Sequence, residues 1–153
     1  FLRHAHPSSE KTGLILNRNG EVLGTHKGVS FYTIGQRKGL GISSTHPLYV
    51  VEIKGKENII IVGKEDDLYS NECYADNLNW ISIDSLKQKL NIKAAIRYNH
   101  VPAEATIEPC LEKEEVKVVF SSKQRAITPG QSIVFYENDV VVGGGIIKKA
   151  RMF

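Results

Sequence analysis

Between residues 32 and 42 the chain reads Tyr32-Thr33-Ile34-Gly35-Gln36-Arg37-Lys38-Gly39-Leu40-Gly41-Ile42, an amide and two adjacent cations framed by glycines. Lacking Cβ, Gly35, Gly39 and Gly41 accept positive φ and let a partner come close to the backbone, while Gln36, Arg37 and Lys38 offer N–H donors to an anion. A phosphate backbone is one such anion. A tight, solvated β-connection with a charged tip has the same composition, so the loop alone does not decide between them. It is not a nucleotide loop of the familiar kinds. A Walker loop needs Gly-Lys followed by Ser or Thr between a strand and a helix, and the dinucleotide fingerprint needs three spaced glycines opening a helix. Gly143-Gly144-Gly145 sits in an apolar, strand-like run with no helix behind it, which argues against kinase and dehydrogenase chemistry.

Other residues have functional types at suggestive places. Arg97-Tyr98 closes a strand-like run beside Asn99-His100, where a guanidinium can meet phosphate and a phenol can meet ribose or base. Gln131 follows Pro129-Gly130 in a turn, where its amide can donate and accept. His26, two residues before Gly28, can touch RNA or brace the glycine loop. His4 and His6 lack the further ligands a metal site requires, so no metal is assigned. Cys73 and Cys110 are far apart and belong to no Cys-x-x-Cys or Cys/His spacing; each is read as a small core hydrophobe. Trp80, flanked by Asn79 and Ile81 in strand alternation, is read as core or interface packing. Lys148-Lys149 reads as a solvated charged face.

The elements that must position these groups read as almost wholly β. Leu14-Ile15-Leu16, the turn Asn17-Arg18-Asn19-Gly20 and Val22-Leu23-Gly24 predict a hairpin, because Asn-Gly is a strong hairpin signal. Leu48–Ile53 and Ile59–Val62 predict a second. The polar break Lys64-Glu65-Asp66-Asp67 predicts a boundary. Beyond it, strands are expected at 76–81, 92–98, 104–107, 116–120, 132–136 and 140–147. One helix is expected over Ile83–Leu90, with Asp84 as cap and Leu86 and Leu90 on one face. Six short strands at this spacing suggest a small closed barrel. The expected fold class is therefore all-β, with a central module at 1–70 carrying the Gly-Gln-Arg-Lys-Gly loop and a barrel at 73–153.

With 153 residues, 41% of them hydrophobic and 24% charged, the chain has ordinary globular composition. No run is long and apolar enough to suggest a membrane span, and Phe1-Leu2-Arg3-His4 shows no signal pattern. With no initiator Met either, the chain is expected to be a piece of a longer, cytoplasmic protein. The net charge of +3 is spread evenly, with 9 Lys/Arg against 8 Asp/Glu in residues 1–72 and 11 against 9 in residues 73–153. Nucleic-acid contact would have to come from local clusters such as Arg37-Lys38 or Arg97.

Taken in order, Gly28, the Tyr32–Ile42 run, Leu48-Tyr49-Val50-Val51, Asn79-Trp80, Arg97-Tyr98, Thr128-Pro129-Gly130-Gln131-Ser132 and Gly143-Gly144-Gly145-Ile146-Ile147 resemble the tRNA-specific 2-thiouridylases over nearly the whole chain. The resemblance implies a small central β module followed by a six-stranded barrel similar to the second domain of elongation factor Tu. It implies tRNA contacts for Arg97, Tyr98 and Gln131, with Gln36, Arg37, Lys38 and His26 as further tRNA or domain contacts. In that family an N-terminal domain uses ATP and Mg to adenylate C2 of the wobble uridine, and a cysteine persulfide, supplied through sulfur-donor proteins, delivers sulfur. That machinery matches nothing here. No cofactor is expected on this chain, no catalytic role falls on Cys73 or Cys110, and the chain alone is expected to be inactive. DNA and membranes are not expected partners. Asn99-His100 departs from the basic or amide residue usual after Arg-Tyr, and Ser8–Gly13 replaces a proline-rich lead. The alternative is a freestanding RNA- or protein-binding β module of translation-factor type, which would be distinguished by the sequence upstream of Phe1.

Overall fold

The computed structural model describes residues 11–150, which divide into two compact units between Leu68 and Tyr69. In the first unit, β1 (Gly13–Asn17) and β2 (Val22–His26) form the Asn-Gly hairpin, and β3 (Tyr49–Lys54) and β4 (Ile59–Gly63) form the second. Asn17 closes the first turn by accepting the backbone N–H groups of Asn19 and Glu21 at 2.9 and 3.0 Å. The hairpins join through a parallel pairing of β1 with β4, giving the order β2-β1-β4-β3. Ile15, Val50, Ile60 and Val62 form the buried core of this sheet, and Leu40 reaches into it from the glycine loop.

The second unit is a closed barrel of six strands: β5 (Tyr69–Trp80), β6 (Leu90–Ala95), β7 (Ala103–Cys110), β8 (Glu115–Arg125), β9 (Ser132–Glu137) and β10 (Val140–Ala150), in the circular order β10-β5-β8-β7-β6-β9. Every pairing is antiparallel. Closure leaves no unpaired edge. Alternation fills the interior: Ile92 and Ala94 of β6, Ala105 and Ile107 of β7, Val116, Val118 and Phe120 of β8, and Ile133 and Phe135 of β9 are all buried.

The observed elements depart most from the expected ones at residues 83–90 and 69–80. Residues 83–90 form no helix; the segment before Leu90 is irregular, and Leu90 enters β6 opposite Ile107. Ile83, Leu86 and Leu90 still pack against the barrel core. Eight residues give little return for a costly helical nucleus, so barrel packing decides their path. The strand expected at 76–81 begins at Tyr69, seven residues earlier. Its first half is disguised by Ser70 and Glu72, polar residues that are nevertheless buried. The Glu72 carboxylate is held by Lys117 Nζ at 3.1 Å and accepts the Tyr74 hydroxyl at 3.1 Å, which compensates its burial.

Candidate nucleic-acid interface

Strand β6 ends at Ala95, so Arg97 and Tyr98 lie in the turn that follows rather than at the end of a strand. Asn99 holds a left-handed φ of 61° and the His100 N–H closes the turn on the Arg97 carbonyl at 3.1 Å. An Asn tolerates that conformation where most residues would strain. The turn leaves Arg97 exposed, and Tyr98, 93% exposed, stands clear of the barrel core. An exposed phenol beside an exposed guanidinium suits a base or ribose next to a phosphate better than it suits packing.

The ladder brings Gln131 to the same end. The β6–β9 register pairs Lys93 with Tyr136, Ala94 with Phe135 and Ala95 with Val134. Continued beyond Ala95, it sets the Arg97-Tyr98 turn at the end where Gln131 leads into β9. Gln131 is itself fixed by its backbone: its N–H bonds the Thr128 carbonyl at 3.3 Å and its carbonyl accepts the Ile147 N–H at 2.8 Å, which leaves the exposed side chain for a partner. Lys123 and Gln124 close β8 at this same rim, because β8 passes Phe120 opposite Ala105, near the start of β7, and runs on to Arg125. Burial, and then the neighbouring Arg97 guanidinium, push His100 below its ordinary 6.5, so the ring is neutral near pH 7; its buried Nδ1 has no hydrogen-bond partner among the described residues. Sequence reasoning missed Lys123 and Gln124, since only the register across neighbouring strands brings them to this rim.

In the first unit the glycine loop is latched to β3: the Gly35 N–H bonds the Val50 carbonyl at 2.8 Å and the Val50 N–H bonds the Gln36 carbonyl at 2.9 Å. Gln36 is engaged inside the loop. Its Oε1 accepts the Thr33 N–H at 3.1 Å and its Nε2 donates to the Lys38 carbonyl at 2.9 Å, while Arg37 and Lys38 project exposed. Gly35, Gly39 and Gly41 hold φ of 88°, 76° and 66°. Gly39→Val should therefore cost the first unit about 2 kcal/mol or more, since a left-handed residue with Cβ loses about 1–2 kcal/mol and a branched one more. Urea unfolding measures this; an unchanged midpoint would remove the conformational argument.

His26 is a brace and has no face left for RNA. It is 1% exposed; its Nδ1 accepts the Gly28 N–H at 3.0 Å, its Nε2 donates to the Asn58 carbonyl at 3.1 Å, and its ring meets Tyr32 edge-on at 5.6 Å. Trp80 stacks on Phe135 at 5.9 Å. Lys148 pairs with Glu115 and Asp76, and Lys149 lies over the Tyr74 ring at 4.6 Å, so this pair is not a bare basic patch. Among the described residues, no group of three or more His, Cys, Asp or Glu is placed to hold a metal, and no helix is long and apolar enough to cross a membrane. His4 and His6 lie outside the described residues.

Burial first, and the Glu72 charge second, push the Cys73 thiol up to about 12, whereas Cys110 is only partly buried. Because the thiolate is the nucleophile, Cys73 should be inert. Alkylation of the folded protein followed by mass spectrometry should label Cys110 and reach Cys73 only on unfolding. Rapid labelling of Cys73 in the folded state would contradict the burial assigned to it.

Comparison with known proteins accounts for both units. Residues 1–64 match the family model described as the tRNA methyl transferase PRC-barrel domain, and residues 70–147 match the one described as the aminomethyltransferase beta-barrel domain. The chain is 50% identical over 97% of its length to the tRNA-specific 2-thiouridylase MnmA of Halothermothrix orenii, and 47% identical over 97% to that of Clostridium botulinum strain Alaska E43. It is 51% identical over 90% to that of Acetivibrio thermocellus. This chain belongs to the tRNA-specific 2-thiouridylase family. It corresponds to the C-terminal part of such proteins and spans 41% of the length of the first two relatives and 38% of the third. The all-β architecture and the six-stranded closed barrel expected from the 2-thiouridylase resemblance are those observed.

Proposed function

We propose that this chain is the tRNA-holding part of an ATP-dependent 2-thiouridylase that thiolates C2 of the wobble uridine, with adenylation and sulfur transfer performed by a catalytic domain outside the chain. The observation that carries the reading is the exposed Arg97-Tyr98 turn, set by the β6–β9 register at the barrel end that Gln131 occupies. Arg97 supplies a charge-assisted bond to a phosphate, Tyr98 a face for a base or ribose, and Gln131 an amide that reads either. The His100 N–H, bonded to the Arg97 carbonyl, closes the turn that presents Arg97 and Tyr98. The chain contributes affinity and orientation; ATP, Mg and the persulfide act elsewhere in the full-length enzyme, in a cytoplasmic setting.

Few phosphate contacts imply modest, salt-sensitive binding, because each contact releases condensed counterions. Titration of unmodified tRNA into the 153-residue chain at several salt concentrations tests this. The logarithm of the binding constant should fall linearly with the logarithm of salt, with a slope of a few, at about 0.9 per phosphate contacted. Binding that ignores salt, or no binding at low salt, would contradict the proposal.

A further inference from the structure

Cations on the barrel wall face carboxylates: Lys89 lies 2.8 Å from Glu108, Lys93 3.4 Å from Glu104 and Lys117 3.1 Å from Glu72, while Lys148 pairs with Glu115. Around the glycine loop the balance is different. Residues 22–51 contain Lys27, Arg37 and Lys38 and not one Asp or Glu. Among the described residues none of these three cations forms an ion pair. An even charge count over the whole chain therefore conceals a local positive field, and unneutralised cations close together attract an anion far more than paired ones do.

Two concavities open on either side of Gly39. One, of 280 Å³, is lined by Lys27, Phe31, Tyr32 and Gln36; the other, of 220 Å³, is lined by Arg37, Ser44 and His46 among others. Both are below the usual volume of a site for a drug-sized ligand, so each suits a fragment such as one base or one phosphate. Phe31 is 44% exposed, and Tyr32 is held against the buried His26 ring. The first concavity thus pairs aromatic faces with an ammonium, and the second pairs a guanidinium with an imidazole and a hydroxyl. Gly39 between them has no side chain to separate what occupies the two.

We infer that residues 27–46 form a site for one unpaired nucleotide of RNA, with the base against Phe31 and Tyr32 and its phosphate against Arg37 and His46. The inference rests on the RNA-binding reading above but concerns the first unit, where Arg97, Tyr98 and Gln131 take no part. Unpaired RNA is required because a duplex keeps its base faces stacked inside. An acidic peptide would satisfy the cations and leave the aromatic concavity unused.

The test is a titration of the complete 153-residue chain with the oligonucleotide U5, followed by amide chemical shifts. U5 should move resonances between Lys27 and His46. Phe31→Ala and Arg37→Ala should each weaken it about tenfold, the size expected for one stacked base or one charged contact. Arg37 is exposed, so its variant stays informative if Phe31→Ala folds poorly. Lys87→Ala, an exposed change in the other unit, should leave U5 binding unaltered. Poly-glutamate binding the same resonances as tightly as U5 would overturn the inference. So would tRNA binding by a chain whose 27–46 resonances ignore U5, an outcome that leaves the tRNA reading standing. If U5 binds at 27–46 while tRNA does not bind the chain, the nucleotide site stands and the tRNA reading falls.

Discussion

Gly143→Ala should destabilise the barrel by about 1–3 kcal/mol, the usual cost of forcing atoms into a filled core, and Gly143→Val by more. Gly143 sits in β10 between Trp80 of β5 and Phe135 of β9. A Cβ there would lie 2.6 Å from the Asn79 carbonyl oxygen and 2.7 Å from Cε3 of Trp80. The first neighbour is backbone of the adjoining strand and cannot retreat without loosening the ladder. The second is an indole already stacked on Phe135, so relief on one side breaks packing on the other. Against a typical domain stability of about 5–15 kcal/mol, the valine variant risks global unfolding. Urea unfolding followed through the emission of Trp80, the only tryptophan, reads the effect directly. Val140→Ala, at an exposed position of the same strand, should shift stability by less than about 0.5 kcal/mol. A Gly143→Ala midpoint equal to that of the parent would show that the close approach is not needed.

Arg97→Ala should weaken tRNA binding by about 1–3 kcal/mol, or roughly 5- to 150-fold, with folding stability unchanged to within about 0.5 kcal/mol. The separation of the two effects follows from its position. Arg97 is exposed in a turn beyond the last residue of β6, so its side chain is no part of the barrel core. Removing one phosphate contact should also flatten the salt dependence by about one. The effect differs in kind from that of Gly39→Val, which acts through backbone conformation and shows first in stability. An Arg97→Ala chain with parental affinity would remove Arg97 from the interface.

The barrel was legible because its strands carry their burial in their composition. Ile92 and Ala94 point inward on either side of the exposed Lys93, and the same alternation marks Val116 to Phe120. The glycine loop was legible because only glycine comfortably adopts the positive φ found at Gly35, Gly39 and Gly41. What escaped depended on partners distant in sequence. Glu72 reads as a surface residue until Lys117 and Tyr74 are seen to satisfy it. Leu86 and Leu90 show helical spacing, yet they are taken up by the barrel. The parallel pairing of β1 with β4 is set by how two hairpins meet, which no local signal specifies. For the candidate site, residue types named Arg97, Tyr98 and Gln131. Their common place at one barrel end came from the β6–β9 register. His26 was ambiguous because a histidine near a loop has the same sequence signature whether it touches a ligand or, as here, braces the chain.

The most direct test is a footprint of unmodified tRNA on the chain by amide chemical shifts. The resonances of Arg97 to His100 and of Gln131 should move together, saturate with a single binding constant, and lose that response at high salt. Shifts confined to the opposite end of the barrel, around Leu111 and Val140, with Arg97 and Gln131 unmoved, would contradict the proposed interface.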